Sequence, residues 1–297
     1  MEEVLRKLAS ELGPLEGEPE PLKDGITNRN FRVRFGGTDH VVRMCGAETE
    51  LLGIDRAAER EAAEVAYEAG LGPKVSAFLV DDQCLVTAFV DGRNLEPADV
   101  REDIGRVAGA LYTVHHAHAT VHHTFSPFRV ADHYLELTNE RDGPVPDVVS
   151  EARGAARRIE EALPPFKPAL CHNDLLPANL LDDGERLWLI DWEYAAMGDP
   201  YFDLGNFSIN HELDADADAT LLAAYFGPEG VRAAAIARLT LMRVVSDFRE
   251  AMWGVLQQGI STLDVDFVAY AGEHFDRLLT VAGRPAFERA LADAAGG

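Results

Sequence analysis

Apolar and polar positions alternate in short runs over the first ninety residues, and over the rest of the chain they do not. FRVRF (31–35) puts an apolar residue at every second position and HVVRM (40–44) is short and β-branched, both marks of half-buried strands. Gly36-Gly37 between them reads as a hairpin turn. KVSAFLV (74–80) and CLVTAFV (84–90) make a second pair, joined through Asp81-Asp82-Gln83. Between the pairs lies a helical stretch, 55–69, ended by Gly70 with Pro73 beyond it. The first thirteen residues read as a short amphipathic helix, Glu early and Arg and Lys later. The pattern predicts a small antiparallel sheet with one helix inserted after its second strand.

After Asp91-Gly92 the period changes. Residues 98–118, 147–163, 199–210, 214–226, 228–257, 264–281 and 284–294 favour helix, and clear strand signals return only around 169–195. A mostly β lobe followed by a mostly α lobe is an α+β arrangement. The expected division is 1–90 and 91–297, with a hinge near 90–95. No internal repeat is visible.

Composition narrows the function classes. The 297 residues suffice for two lobes with cores of their own. Fifty-one acidic against 27 basic residues give a net charge of −24, which disfavours nucleic acid and anionic membrane as partners but not a cationic small molecule. No run of 18 apolar residues predicts a membrane span, and the N-terminus lacks the basic start and apolar core of a signal peptide. The three cysteines, Cys45, Cys84 and Cys171, are odd in number and widely spaced. They suggest neither a disulfide framework nor a zinc pattern, and fit a reducing cytoplasm.

The chemistry concentrates in ALCHNDLLPANLLDDGERLWLIDWEYA, 169–195. Asp174 has the type and loop placement of a base that aligns and deprotonates a hydroxyl attacking a phosphate. Asn179 and Asp191 offer the hard oxygens that Mg²⁺ prefers alongside substrate phosphates. The H-x-D-x₄-N spacing followed by Ile190-Asp191 is close to kinase catalytic-loop and metal-loop signatures. His172 reads as a brace for the loop. The competing reading is a buried turn in which Asp and Asn act as caps. DGITNRNFRV (24–33) is a candidate phosphate cover: Gly25 permits close backbone approach, and Thr27, Asn28 and Asn30 offer donors, though an ordinary turn has the same composition. Arg43 on the next strand is the candidate phosphate cation, with Glu59 its best helix partner and Glu61 and Glu64 as rivals. HHAHATVHH (115–123) holds five of the ten histidines. His115, His118 and His122 could share a helix face and bind a metal, but no carboxylate or cysteine joins them at ligand spacing, and the default is helix-end or surface histidines.

The segments GITNRNFRVRF, HVVRMCG, TELLGIDRAAERE, GLGPKV, CHNDLLPANLL, LIDWEYA, DPYFDLGN and REAMWGVLQQG together resemble the choline/ethanolamine kinase and aminoglycoside phosphotransferase superfamily, most of all its bacterial choline-kinase branch. The resemblance implies a two-lobed, protein-kinase-like fold that uses ATP and Mg²⁺ to phosphorylate a small alcohol. It implies Asp174 as base, Asn179 and Asp191 as metal ligands, and Arg43 and Glu59 as the phosphate-binding residue and its partner. The backbone near Thr87, Phe89 and Val90 corresponds to the adenine hinge, and Asp203 to the residue that braces the catalytic loop.

The acceptor is expected to be choline. A quaternary ammonium is held by aromatic faces and diffuse negative charge. Glu193 and Tyr194 follow Asp191 closely, and Trp253 and Tyr270 match late-helix aromatics of the choline kinases. Glu250 stands where fuller cages have a second tryptophan, so ethanolamine, an aminoglycoside, thiamine or a sugar remain alternatives. Asp247, Glu250 and Trp253 fall at helical spacing and could share a face as an acidic patch beside an aromatic. The aromatics could equally be core packing. A catalytically silent nucleotide-binding protein is the reading from a different class, and the presence of Asp174, Asn179 and Asp191 opposes it.

Overall fold

The computed structural model describes residues 1–22, 28–44, 49–261 and 263–296. The chain packs into two compact units, one of residues 1–95 with 178–195, the other of 96–177 with 196–297. Instead of one break at residue 90, the chain passes between units three times, and the hairpin carrying Asn179 and Asp191 packs with the first.

The first unit begins with α1 (Glu2–Leu12), β1 (Leu15–Pro21), β2 (Arg29–Phe35), β3 (Thr38–Met44), α2 (Arg56–Glu68), β4 (Val75–Leu79), β5 (Cys84–Ala88) and the short β6 (Arg93–Asn94). Strands β1 to β5 form one antiparallel sheet in the order β1-β2-β3-β5-β4. The β2–β3 turn closes with Phe35 opposite Thr38, and Gly36 and Gly37 take φ of 52° and 81°, which a side chain would resist. Inward residues Val33, Phe35, Val42 and Val86 pack against Val4, Leu5 and Leu8 of α1. Helix α2 starts where the Asp55 carboxylate accepts from the amides of Ala57 and Ala58, and it stops before Gly70 at φ 73°. Its buried face is alanine (Ala58, Ala62, Ala63, Ala66) with Glu59 among them.

The second unit begins with α3 (Pro97–Glu102), α4 (Ile104–His115), α5 (Pro127–Glu140), α6 (Val149–Ala162) and β7 (Ala169–Cys171). The chain then returns to the first unit as β8 (Leu180–Asp182) and β9 (Leu187–Leu189), a hairpin that adds to β6, while the Leu189 amide donates to the Leu71 carbonyl at 2.7 Å. It re-enters the second unit as β10 (Ala196–Gly198), α7 (Pro200–Asn210), α8 (Ala215–Phe226), α9 (Ala233–Ile260), α10 (Phe267–Ala282) and α11 (Pro285–Ala295). Helix α9 is the axis of this unit, buried without interruption from Val244 to Gln257, with α5, α7, α10 and α11 packed on it. Gly205 lets α7 approach α9: a Cβ there would sit 2.7 Å from Met242 Cβ and 2.8 Å from its carbonyl carbon.

Several elements differ from expectation. Strand β1 was not signalled, being exposed and proline-containing, as an edge strand tolerates. Helix α5 was not among the expected helices either. The expected 98–118 helix is two helices meeting at Asp103, the second ending at His115, so His118 and His122 lie off the helix and share no face with His115. The expected 228–257 helix begins at Ala233, after a single 3-10 turn.

Candidate active site

In the second unit, β7 delivers the chain into His172-Asn173-Asp174, and α7 fixes that segment. The Asp203 carboxylate accepts from the His172 amide at 2.8 Å and from the Asn173 amide at 2.7 Å. Asn206, one turn later on α7, accepts the Leu175 amide at 2.5 Å and donates to Ser246 on α9 at 3.0 Å. These bonds hold Asn173 in a left-handed conformation, φ 64°, the strained backbone that functional loops often carry. Asp203 is itself held by His115 Nε2 at 3.0 Å, and His115 Nδ1 meets the Tyr225 hydroxyl at 2.7 Å. In geometry Asp203 thus ties the loop's backbone to α7. His115, the first of the five clustered histidines, is buried in that network, and His115, Cys171 and Asp203 bring their ligand atoms within 4.8 Å of one another. Burial first, then Asp203, pushes the Cys171 thiol up, so it stays protonated.

Beside Asp174, α9 presents Arg249 and Glu250. Arg249 Nη1 lies 3.6 Å from Asp174 Oδ1 and also pairs with Glu250. The Tyr270 hydroxyl of α10 donates to Glu250 Oε2 at 2.8 Å, and the Trp253 ring meets Tyr270 edge-on at 5.5 Å. Gly254 makes room for this, since a Cβ there would sit 2.9 Å from Tyr270 Cδ1. Burial first, then the Glu250 charge, raises the Tyr270 pKa, so the phenol stays protonated as a donor. Glu250, Trp253 and Tyr270 are therefore brought together. Asp247 is not part of that patch: Arg277 Nε donates to it at 2.8 Å and His274 Nδ1 lies 2.9 Å away.

In the first unit, Asn179 ends a 3-10 turn just before β8, and Asp191 follows β9 at φ 65°. The hairpin sets them at adjoining ends, with the Ile190 amide donating to the Asn179 carbonyl at 3.0 Å. Arg43 on β3 reaches its expected partner and a second carboxylate: its Nη1 is 2.5 Å from Glu59 Oε1 and 2.7 Å from Asp191 Oδ1. Of the rivals to Glu59, Glu64 pairs with Arg60.

Arg56, which the sequence reading did not single out, organises this cluster. Its guanidinium donates to Glu59 Oε2 at 2.7 Å, Glu193 Oε2 at 3.2 Å and Asn28 Oδ1 at 3.2 Å, while Asn28 donates to Glu193 at 2.7 Å. The usable signal was its placement one turn before Glu59 on the same helix. Glu193 is 4% exposed and committed to Arg56 and Asn28. Burial first, then Asp191, lifts its pKa to about 7 against the pull of Arg43 and Arg56. Asn28 likewise gives its side chain to Glu193 and Arg56. Asn30 pairs across the sheet with Arg43, and Gly25 and Thr27 lie outside the described residues. Thr87 is on β5 opposite Val41, the Phe89 amide donates to the Asp39 carbonyl at 3.0 Å, and Val90 is half-buried beyond the strand. Tyr194 is buried.

A model of the phosphotransferase enzyme family matches residues 18–235, which is most of the chain. Among solved structures, a choline/ethanolamine kinase family protein from Mesorhizobium loti is 31% identical, covering 100% of this chain and 99% of its own, with a TM-score of 0.85. The chain belongs to the choline/ethanolamine kinase family. The choline kinase LicA from Streptococcus pneumoniae is 25% identical over 95% of this chain and 98% of its own, with a TM-score of 0.82. Protein LicA of Haemophilus influenzae is 27% identical over 206 residues, 68% of this chain, and the match spans 60% of that relative's length. As a member of this family the chain is a phosphotransferase with an alcohol group as acceptor, and its mixed α+β fold with an antiparallel sheet and a helical second part is the protein-kinase-like one. No helix among the described residues is long and apolar enough to cross a membrane.

Proposed function

We propose that this kinase transfers the γ-phosphate of ATP to the hydroxyl of choline by direct in-line displacement. The observation that carries the reading is the pinning of the loop at Asp174, with the amides of residues 172, 173 and 175 tied to Asp203 and Asn206. A carboxylate on so fixed a backbone can orient and deprotonate a hydroxyl without paying the entropy of finding its place. Arg43, held by Glu59, stays charged and neutralises phosphate oxygens. The Asn179 amide oxygen and the Asp191 carboxylate are hard oxygen donors at adjoining ends of one hairpin, a donor set that suits Mg²⁺. When bound, the ion supplies charge neutralisation across the phosphates. The backbone at Thr87, Phe89 and Val90 is the proposed adenine edge.

The acceptor side favours a monocation. Asp174, Arg249 and Glu250 form a buried group whose formal charges sum to one negative, beside Trp253 and Tyr270. A polycationic aminoglycoside would meet too little opposing charge there, and a sugar would leave the charge unmatched. Trp253 and Tyr270 offer ring surface to a quaternary ammonium. Ethanolamine is the second reading, because Glu250 is a carboxylate that a primary ammonium can hydrogen-bond.

An acceptor series of choline, ethanolamine, kanamycin, thiamine and glucose, followed by coupled ADP release, tests this. The account expects choline to be turned over best, and Trp253→Ala to raise the choline KM by about tenfold, the loss of one to two kcal/mol of cation–π binding, with the ATP KM unchanged. An unaltered choline KM removes Trp253 from the pocket, and turnover of kanamycin or glucose above choline overturns the assignment.

A further inference from the structure

The second unit contains a cavity of about 650 Å³ that Asp174, Glu250, Trp253 and Tyr270 do not line. The volume is that of a small-molecule pocket. Its walls are aromatic and ordered. Tyr201 stacks on Phe226 at 5.2 Å, Tyr112 stacks on His116 at 3.9 Å, and the Arg238 guanidinium lies 4.2 Å over the Tyr201 ring. Tyr112, Phe166 and Phe226 stay 42–46% exposed although they converge on one place. Exposed aromatic surface gathered in this way marks a binding site more often than scattered exposure does.

The charge of the cavity is the reverse of the protein's. In a chain of net charge −24, its walls carry Lys167 and Arg238 against a single carboxylate, Asp199, with the imidazoles of His116 and His118 beside them. Asp199 is already spent: Oδ2 accepts from Arg238 at 2.6 Å and Oδ1 caps α7 through the Tyr201 amide at 3.0 Å. With Arg238 and Asp199 paired, a ligand entering here meets flat rings, the guanidinium face and the one net positive charge of Lys167, the complement of an aromatic ring carrying an anion. The floor connects to the reaction. Tyr225 and His115 line the cavity, and they lead by hydrogen bonds of 2.7 and 3.0 Å to Asp203, which holds the amides of His172 and Asn173.

We propose that this cavity is an effector site for a small aromatic anion, an aryl phosphate or aryl carboxylate, whose occupancy is transmitted through Tyr225, His115 and Asp203 to the loop at 172–173. The proposal does not depend on which alcohol is phosphorylated, because its readouts are binding and amide exchange rather than turnover.

The test is a calorimetric titration of the full chain with phenyl phosphate, with inorganic phosphate and phenol as separate arms. Phenyl phosphate is expected to bind at least about tenfold more tightly than either fragment, since ring and anion each contribute. Lys167→Glu, at an exposed position, should weaken it about tenfold, as should Phe226→Ala. Hydrogen exchange at the His172 and Asn173 amides should slow on saturation, and Tyr225→Phe should keep the binding but lose that slowing. Equal binding of inorganic phosphate would mean an adventitious ion only and overturns the proposal. So does unchanged affinity in Lys167→Glu and Phe226→Ala, which would put the ligand elsewhere. A wild-type dimer that fails to bind phenyl phosphate overturns it too, since a second copy would then cover the aromatics. Saturation with no change in amide exchange contradicts the transmission.

Discussion

Three backbone amides around Asp174 are tied down by two side chains of α7, so the residue proposed as the base sits on a loop whose backbone is already fixed. The spacing of Asp174, Asn179 and Asp191 is legible in sequence because the proposed chemistry calls for those residue types at short range along the chain. Arg56 is not legible in the same way. Its role comes from meeting Glu193, 137 positions away, and no local pattern encodes that meeting. Glu193 shows the converse. Its position suggested an acceptor contact, but its carboxylate is committed to Arg56 and Asn28 and its pKa is lifted to about 7.

His211, at the end of α7, carries a second residue-scale consequence. Burial drives its pKa down from 6.5 to about 4, against a bond to the Leu175 backbone, with the ring packed 4.5 Å from Phe207. The unfolded chain therefore binds more protons than the native one between pH 4 and 6.5. Stability from this group is complete above pH 6.5 and is lost as pH falls through that window. From pH 7 to pH 5 the loss should be about 2 kcal/mol in urea unfolding, and His211→Gln should lack that part of the slope. An identical slope in the variant would show that His211 is not buried neutral.

At the scale of elements, the strands and helices that bury a regular face were readable: β2, β3, β4, β5, α2 and the late helices all fall close to their expected spans. Strand β1 buries almost nothing and is held by pairing with β2, so its sequence, LEGEPEP, has no apolar period to read. Helix α5 did announce itself, through Ser126 capping the Arg129 amide and Pro127 at the first helical position, and a search for caps finds it. The contact of α7 with α9 depends on Gly205, and α7 carries both Asp203 and Asn206. Gly205→Ala should cost about 1–3 kcal/mol in denaturant unfolding, because a methyl group would meet backbone of α9. The loop anchored by α7 should loosen with it, seen as faster amide exchange at residues 172–175. A variant as stable as wild type would mean that the helices can part freely.

Across the whole molecule, the division into a strand-rich part and a helical part was readable from the change of period near residue 92. The return of 178–195 to the first unit was not, because it rests on β6 pairing with β8 across 87 positions, Asn94 opposite Leu181. The net charge of −24 also acts at this scale. A cationic acceptor is drawn toward such a surface, and salt screens the attraction over about 8–10 Å. Raising NaCl from about 0.05 to about 0.5 M should lower kcat/KM for choline several-fold while leaving kcat nearly constant. A salt-independent kcat/KM would remove long-range steering from the description.

The most direct measurement is ³¹P NMR of the chain with ATP, Mg²⁺ and choline, run side by side with Asp174→Asn. The wild type should convert the γ-phosphate into a new phosphomonoester, with the variant slower by about 10³-fold and its nucleotide affinity nearly unchanged. A variant that turns over as fast as the wild type, or a wild type that forms no phosphomonoester with choline or ethanolamine, would contradict the assignment of Asp174 as the base of an alcohol kinase.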